Sequence, residues 1–219
     1  MGTTTENSQA IARRIVRIEP KLREVVTKFG PAPIGARPSR ISNFQALAES
    51  ILGQQLSVKA AATITERVIQ AAGGRMDPAG IAKLTPSRLR SAGCSAAKAR
   101  AISELAQVVA DGDLSELAQV VADGDLPIRS LNKKSDEAIM ELLLPLYGVG
   151  RWTVEMFLIF QLGRSDVWPT GDLGVRRGWE KLYKMKREVE IDELEKLGAK
   201  FAPHRSHLAW YCWRAHSLY

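Results

Sequence analysis

Residues 146–156 read LYGVGRWTVEM and lie between two stretches with helical periodicity. Glycine costs a helix interior about 1 kcal/mol relative to alanine, so Gly148 and Gly150 predict a break between two helices. The helix before the break starts after Ser135, a candidate N-cap followed by two acidic residues that suit the helix dipole. The helix after the break starts at Arg151. The segment therefore predicts a helix, a Gly-Val-Gly turn and a second helix.

The two glycines have two possible uses. They let the backbone take positive φ, and they let a partner approach without a Cβ in the way. The second helix would also present N–H groups at its start that can bind an anion such as a DNA phosphate, with Arg151 adding positive charge. The alternative is a buried pair of helices whose glycines only permit close packing, and one G-V-G motif does not decide between them.

Helical periodicity also dominates the rest of the chain. A helical pattern near the N-terminus is interrupted at Pro20, and NFQALAESILGQQLSVKAAATITERVIQAAGG predicts two helices separated at GQQLS and stopped at residues 73–74. Asp77 and Thr85 each precede a proline, as an N-cap precedes the first helical residue. No segment alternates apolar and polar residues as a strand does. We therefore predict an all-α fold in which seven to eleven helices form a compact bundle.

One segment is duplicated. Residues 103–114, SELAQVVADGDL, repeat without change at 115–126. Twelve residues at about 100° each leave an offset of about 120°, so a single helix carrying both copies would turn their apolar faces apart. We predict that Gly112 ends one helix, that Asp113 caps the next, and that the duplication adds a short extra helix or a looped-out segment. We assign it no chemistry.

Composition narrows the class of protein. A net charge of +7 and a pI near 9.6 favour an acidic partner such as nucleic acid, although a basic surface without such a partner is an alternative. Cys94 and Cys212 are too far apart to form a clustered zinc or iron–sulfur site, and they indicate no disulfide scaffold. The sequence has no signal-peptide pattern and no apolar run of about 18 residues. We therefore expect a soluble intracellular protein.

Three segments resemble, in order, the helix-hairpin-helix DNA glycosylases, in particular the DNA-3-methyladenine glycosylase II type. They are FQALAESILGQQLSVKAA, LLPLYGVGRWTVEMFLIFQLGRSDVWPTGDLGVRRG and APHRSHLAWYCWR, and they fall between about residues 42 and 214. In that family an aspartate follows the hairpin by a little over twenty residues, at the head of the next helix. Asp172 stands at this place, which implies a catalytic role, whereas an ordinary N-cap is the alternative.

The resemblance also implies a base pocket. Trp152 takes the position where strand-nicking members have a lysine that forms a Schiff base, which implies a monofunctional enzyme that stops at the abasic site. Its indole would stack on a flipped cationic purine, or alternatively pack in the core. Met156 and His204 match positions where family members line the pocket with aromatic residues, so this departure leaves the range of accepted bases open. Trp168 is the fourth pocket candidate.

DNA contacts are implied as well. The hairpin residues expected to bind DNA are Gly148, Val149, Gly150, Arg151 and Thr153. The family fills the gap left by a flipped base from the loop that matches GQQLS, so Gln55 or Leu56 is the candidate wedge, with an ordinary turn as the alternative. Arg176, Arg177 and Lys181 could bind phosphates or simply be solvated charges.

The resemblance implies two helical lobes, and the roughly 40 residues before NFQAL lead us to expect no extra N-terminal β domain such as some relatives carry. We expect residues 1–41 to pack with the C-terminal lobe, residues 42–168 to form the hairpin lobe, and residues 169–219 to complete the second lobe. The expected function is release of alkylated purines, such as 3-methyladenine and 7-methylguanine, from double-stranded DNA in base excision repair. Alternatives are a glycosylase for deaminated or oxidised bases and a non-catalytic hairpin module that binds DNA.

Strand-nicking relatives often carry a four-cysteine iron–sulfur cluster, but Cys94 and Cys212 are too few and too far apart in sequence to hold one. We expect a monomer without a cofactor and leave open a monovalent cation held by hairpin backbone carbonyls. We also expect a cytoplasmic protein associated with the nucleoid, or a nuclear one if the organism is eukaryotic.

Overall fold

The computed structural model describes residues 3–35, 39–112 and 129–218, and within these ranges it contains helices and no β-strand. The predicted all-α fold is therefore confirmed. The helices are α1 Thr3–Ile18, α2 Arg23–Phe29, α3 Asn43–Gly53, α4 Val58–Ala71, α5 Pro78–Ala82, α6 Pro86–Ser91, α7 Ala96–Ala110, α8 Arg129–Lys133, α9 Asp136–Leu143, α10 Arg151–Met156, α11 Leu173–Tyr183, α12 Ile191–Gly198 and α13 Arg205–Leu218. A π-helical stretch, Phe157–Gln161, continues α10, and 3-10 turns occupy Pro20–Leu22 and Ala199–Phe201.

The helices of the described ranges outnumber the seven to eleven that the sequence predicted. Four of them, α5, α6, α8 and α10, have only five or six residues each. Such helices span less than two turns, so an apolar face cannot repeat along them and periodicity does not reveal them. No helix of the described ranges is long and apolar enough to cross a membrane.

The N-caps that the sequence predicted at three helices are confirmed. The side chains of Asp77, Thr85 and Ser135 accept hydrogen bonds from backbone N–H groups three residues on, at 2.7, 3.3 and 3.2 Å, and so cap α5, α6 and α9. The predicted helix end at Gly112 is also confirmed, because α7 ends at Ala110 and Gly112 has φ +91°. Asp113 and the second copy of the duplicated segment lie outside the described residues.

The chain forms two compact units, Ser39–Phe157 and Met1–Pro38 with Leu158–Tyr219. The division expected from sequence had its boundaries at 41/42 and 168/169 instead. The second boundary falls inside the continuous helical stretch that runs from α10 through Phe157–Gln161. No proline- or glycine-rich linker marks that point, so the sequence carried no signal for it.

Each unit has its own apolar interior. In the unit Ser39–Phe157, α3 packs on α4, α7 and α10, and Phe44, Leu47 and Ile51 are buried there. In the other unit, α11 packs along α13. The backbone of Gly178 in α11 touches the backbone of Cys212 in α13 so closely that any Cβ at residue 178 would overlap the Cys212 carbonyl. This close approach fixes how α11 and α13 align.

Candidate functional site

The hairpin turn uses its two glycines differently. Gly148 has φ +79°, and a Cβ there would lie 2.5 Å from Ala101 Cβ, so both the conformation and the space require glycine. Gly150 has φ −96° and ψ 170° as the N-cap residue of α10, so the expectation of positive φ is wrong at this position. Apart from its own chain neighbours, a Cβ on Gly150 would meet no atom of the described residues within 4 Å. The open space above Gly150 is compatible with close approach by a ligand.

The hairpin residues expected to bind DNA divide by exposure. Gly148, Gly150 and Arg151 are exposed, whereas Val149 and Thr153 are buried. Arg151 Nε donates to Glu155 Oε1 at 2.9 Å, while 77% of the Arg151 side chain remains exposed. Only Arg151 therefore offers an exposed side chain from this set, and the buried residues can contribute through the backbone and by holding the turn.

The candidate wedge residues and Trp152 lie in the same unit. Gln55 and Leu56 are both exposed in the loop between α3 and α4, and Gln55 takes a left-handed conformation with φ +57°. Leu56, Val58 and Trp152 line one groove of about 590 Å³, together with small residues such as Ala61 and Ala62. Trp152 is 38% exposed, so its indole is not enclosed in the core.

Asp172 stands at the head of α11 in the other unit. Its Oδ1 accepts a hydrogen bond from the Val175 N–H at 2.7 Å, so the N-cap alternative describes its geometry correctly. The same oxygen also accepts from the indole Nε1–H of Trp213 at 2.7 Å. A cap needs only the first of these bonds. The second adds an N–H donor from α13 that orients the carboxylate, which suits a reacting group as well as a cap.

Trp213 is a functional candidate that the sequence reasoning did not single out. Phe160 stacks on its indole with ring centroids 5.5 Å apart and planes at 29°, and Phe160 is itself exposed. Trp213 lies within the third segment that carries the family resemblance and Phe160 within the second, so a signal was available for both residues. Cys212, next to Trp213, is buried; burial, followed by the Asp172 carboxylate, raises the pKa of its thiol. Cys212 is therefore a protonated packing residue.

The remaining pocket candidates are less exposed than Trp152. Met156 is buried. Trp168 is also buried, its Nε1–H donates to the Leu194 carbonyl at 3.0 Å, and its ring packs edge-on against Trp179. This geometry favours a packing role for Trp168. His204 is half-buried with Nδ1 3.2 Å from Ser165 Oγ.

The electrostatic surroundings of His204 favour its neutral form. Burial and then the charge of Arg14 hold the pKa of its imidazole below the usual value, against the opposing effect of Asp166. A neutral imidazole does not repel a cationic ligand, so His204 remains compatible with the base pocket that the resemblance implies.

Two of the three basic candidates on α11 have partners within the protein. Arg177 pairs with Glu180 at 2.9 Å and with Glu188 at 2.5 Å. Lys181 Nζ donates to the His216 carbonyl at 2.9 Å. Arg176 Nε is buried and finds no hydrogen-bond partner within the described part of the chain. These bonds favour structural roles for Arg177 and Lys181.

Two backbone carbonyls of the hairpin each accept one hydrogen bond. Leu146 O accepts from the Val149 N–H at 3.1 Å and Gly148 O accepts from Gln54 Nε2 at 3.0 Å, and each carbonyl oxygen has a second lone pair. Among residues 3–35, 39–112 and 129–218, no three His, Cys, Asp or Glu side chains form a metal-binding group.

Comparison with known proteins identifies relatives across most of the chain. The model of the HhH-GPD superfamily base excision DNA repair protein matches residues 48–204. DNA-3-methyladenine glycosylase 1 of Schizosaccharomyces pombe is 31% identical over 178 residues, which cover 80% of this chain and 73% of that protein.

Solved structures agree with this match. The 3-methyladenine DNA glycosylase of Schizosaccharomyces pombe, in complex with abasic DNA, is 28% identical with a TM-score of 0.79, covering 93% of this chain and 95% of that one. The DNA-3-methyladenine glycosidase of Bacillus halodurans is 32% identical with a TM-score of 0.72, covering 92% and 87%. The matched range includes the hairpin and Asp172.

Proposed function

Because the chain belongs to the HhH-GPD superfamily of base excision DNA repair proteins, we propose that it is a DNA glycosylase that hydrolyses the N-glycosidic bond of alkylated purines in double-stranded DNA. The names of its relatives, DNA-3-methyladenine glycosylases, support this substrate class. The observation that carries the proposal is the Asp172 carboxylate, which two N–H donors hold at 2.7 Å. The family resemblance implies that Asp172 corresponds to the family's catalytic aspartate.

The Asp172 carboxylate suits the chemistry of the reaction. Cleavage of a glycosidic bond builds positive charge on the sugar, and a preorganised carboxylate stabilises that charge or orients the attacking water. An N3- or N7-alkylated purine already carries positive charge and leaves without strong acid assistance. The reaction then needs one fixed anion and one water, and ends with a free base and an abasic site.

Trp152 suits recognition of the same substrates. A partly exposed indole attracts a cationic ring more strongly than a neutral one, by about 1–2 kcal/mol through cation–π interaction. Tryptophan has no nucleophilic amine with which to form a Schiff base at the sugar. We therefore propose a monofunctional enzyme that leaves the strand intact.

We further propose that the protein acts as a monomer and without an organic cofactor or iron–sulfur cluster. A monovalent cation on the hairpin would be held by the carbonyls of residues such as Leu146 and Gly148, where it would add positive charge for a DNA phosphate. Arg151 and the exposed backbone at Gly150 supply the protein's own contribution to phosphate binding.

The test is release of 3-methyladenine and 7-methylguanine from methylated duplex DNA by the wild type, Asp172→Asn and Asp77→Asn. Asparagine caps helices as well as aspartate does, so both variants should fold. Asp77 caps α5 with the same geometry and serves as the matched control. We expect release to be lost only in Asp172→Asn, with DNA binding kept.

Three results would contradict the proposal or part of it. Binding without release of any methylated base by the wild type would exclude the alkylated substrates, and deaminated bases would be tested next. Full activity in Asp172→Asn would exclude the carboxylate as the catalytic group. Strand cleavage accompanying base release would exclude the monofunctional assignment.

A further inference from the structure

The loop that carries the candidate wedge is held by a side chain with no assigned role. Gln54 immediately precedes Gln55 and Leu56 in the loop between α3 and α4. Its Nε2 donates to the Gly148 carbonyl and to Thr153 Oγ1, each at 3.0 Å. A primary amide nitrogen has two N–H groups, so these two bonds use both. Because the Gly148 carbonyl can only accept, it fixes which end of the amide faces the hairpin.

The two acceptors belong to different parts of the hairpin. Gly148 lies in the turn at φ +79°, and Thr153 lies buried in the first turn of α10. The Gln54 amide therefore bridges the turn and the start of the second helix. Movement of the turn or of the start of α10 away from Gln54 would break one of the two bonds. The hairpin and the wedge loop are therefore expected to move together.

A second brace fixes the same loop from its other side. Lys98 Nζ, from α7, donates to the carbonyls of Leu52 and Gln54, both at 2.8 Å. These carbonyls lie at the end of α3, where intrahelical donors are missing. Between the two braces, Gln55 is kept in a left-handed conformation that residues other than glycine rarely adopt. The loop conformation is thus imposed by its surroundings and not by local preference.

We infer that Gln54 is a positioning residue that couples the hairpin's contact with the DNA backbone to the placement of the wedge; this inference rests on the proposed function. The hairpin does not recognise the base sequence, because contacts with the DNA backbone set only the register and orientation of the protein on the duplex. A wedge that fills a gap in the base stack must stand at a fixed distance from that contact. The Gln54 amide sets this distance within one unit of the protein.

The test measures insertion of the wedge into the gap left by a missing base, and it does not depend on base release by the enzyme. The equilibrium affinities of the full-length protein for an intact duplex and for a duplex with a stable abasic-site analogue give a preference ratio. A fluorescent purine analogue beside the gap reports unstacking. Gln54→Met keeps the length of the side chain and removes both donors. Gln70→Met is the matched control, because it removes a comparable amide bond, Gln70 Nε2 to Glu66 Oε1 at 2.8 Å, on the neighbouring α4.

We expect Gln54→Met to lower the abasic preference by about tenfold or more, since small misplacements of a positioned group have large effects. Affinity for the intact duplex should stay within about twofold, because the backbone contacts remain. Replacing Gln55 and Leu56 with alanine should lower the same preference. Adding Gln54→Met to that loop variant should change the ratio by less than about twofold, since both act through one element. Gln70→Met should match the wild type.

Other results would overturn the inference. It fails if Gln54→Met lowers affinity for both duplexes equally, if its effect adds in full to that of the loop variant, or if the wild type shows no abasic preference. Should Gln54→Met not fold, Thr153→Val removes one acceptor only and is expected to give an intermediate loss of preference. A wild type that inserts at the gap but releases no methylated base would contradict the proposed function and leave the Gln54 result standing.

Discussion

Replacing Trp213 with phenylalanine removes one hydrogen bond to the candidate catalytic carboxylate and little else. The indole Nε1–H lies 2.7 Å from Asp172 Oδ1, whereas the stacking surface toward Phe160 survives in a phenylalanine ring. Asp172 keeps the Val175 N–H, so α11 remains capped. The variant therefore isolates the orientation of the carboxylate from helix stability.

The size of the effect follows from the type of bond. A hydrogen bond to a charged acceptor is worth about 1.5–3 kcal/mol. If this stabilisation is needed mainly in the transition state, the single-turnover rate of 7-methylguanine release falls by about 10- to 150-fold, at 1.36 kcal/mol per factor of ten. Affinity for abasic duplex DNA should be nearly unchanged.

The assay is single-turnover base release at saturating enzyme, with melting temperature and abasic-DNA affinity measured on the same preparations. Trp210→Phe is the control, because Trp210 is buried in the same helix and packs edge-on against Phe29. A folded Trp213→Phe enzyme that binds DNA normally and releases base at the wild-type rate would refute the positioning of Asp172 by Trp213.

Four further substitutions can be tested independently. Gly148→Ala should lower the free energy of unfolding by about 1–3 kcal/mol, because of its positive φ and the nearby Ala101. Gly150→Ala should keep the wild-type urea unfolding curve and weaken binding to undamaged duplex DNA; identical behaviour of the two variants would contradict this. Trp152→Ala should slow release of cationic 7-methylguanine about 5- to 30-fold more than release of neutral hypoxanthine, measured in parallel, since the cation–π term is worth about 1–2 kcal/mol. Burial lowers the pKa of His207 to about 4. In the unfolded chain the pKa of a histidine is about 6.5, so below pH 6.5 the unfolded state binds a proton on His207 that the folded state does not bind. The free energy of unfolding should therefore fall by on the order of 3 kcal/mol as the pH is lowered from 6.5 to 4. Urea midpoints at about pH 7.5 and 4.5 should differ less in His207→Leu than in the wild type if this linkage holds.

Features that depend on neighbouring residues were readable from the sequence. The caps at Asp77, Thr85 and Ser135 each involve a backbone N–H only three positions away. The helix end at Gly112 and the positive φ at Gly148 are equally local. The extended conformation of Gly150 was missed, because an N-cap position and a left-handed turn both accept glycine and sequence alone does not separate them.

Features that depend on tertiary packing were not readable. The bond from Trp213 to Asp172 spans 41 positions, and that from Gln54 to Gly148 spans 94. Such pairs are set by how helices align, which an apolar pattern does not encode. The same reason explains Trp168, whose place in the sequence suggested a pocket but whose indole N–H is satisfied inside the protein.

The contact between Gly178 and Cys212 has a consequence for the interpretation of mutant libraries. Trp213 directly follows Cys212, so any side chain at residue 178 pushes aside the backbone that presents the indole to Asp172. A selection for repair activity would then score Gly178 as essential, although it lies about 9 Å along the helix from the carboxylate. The amount of each variant protein in cell lysates distinguishes a loss of folding from a loss of catalysis. Gly178 variants should be degraded, whereas Asp172→Asn should accumulate.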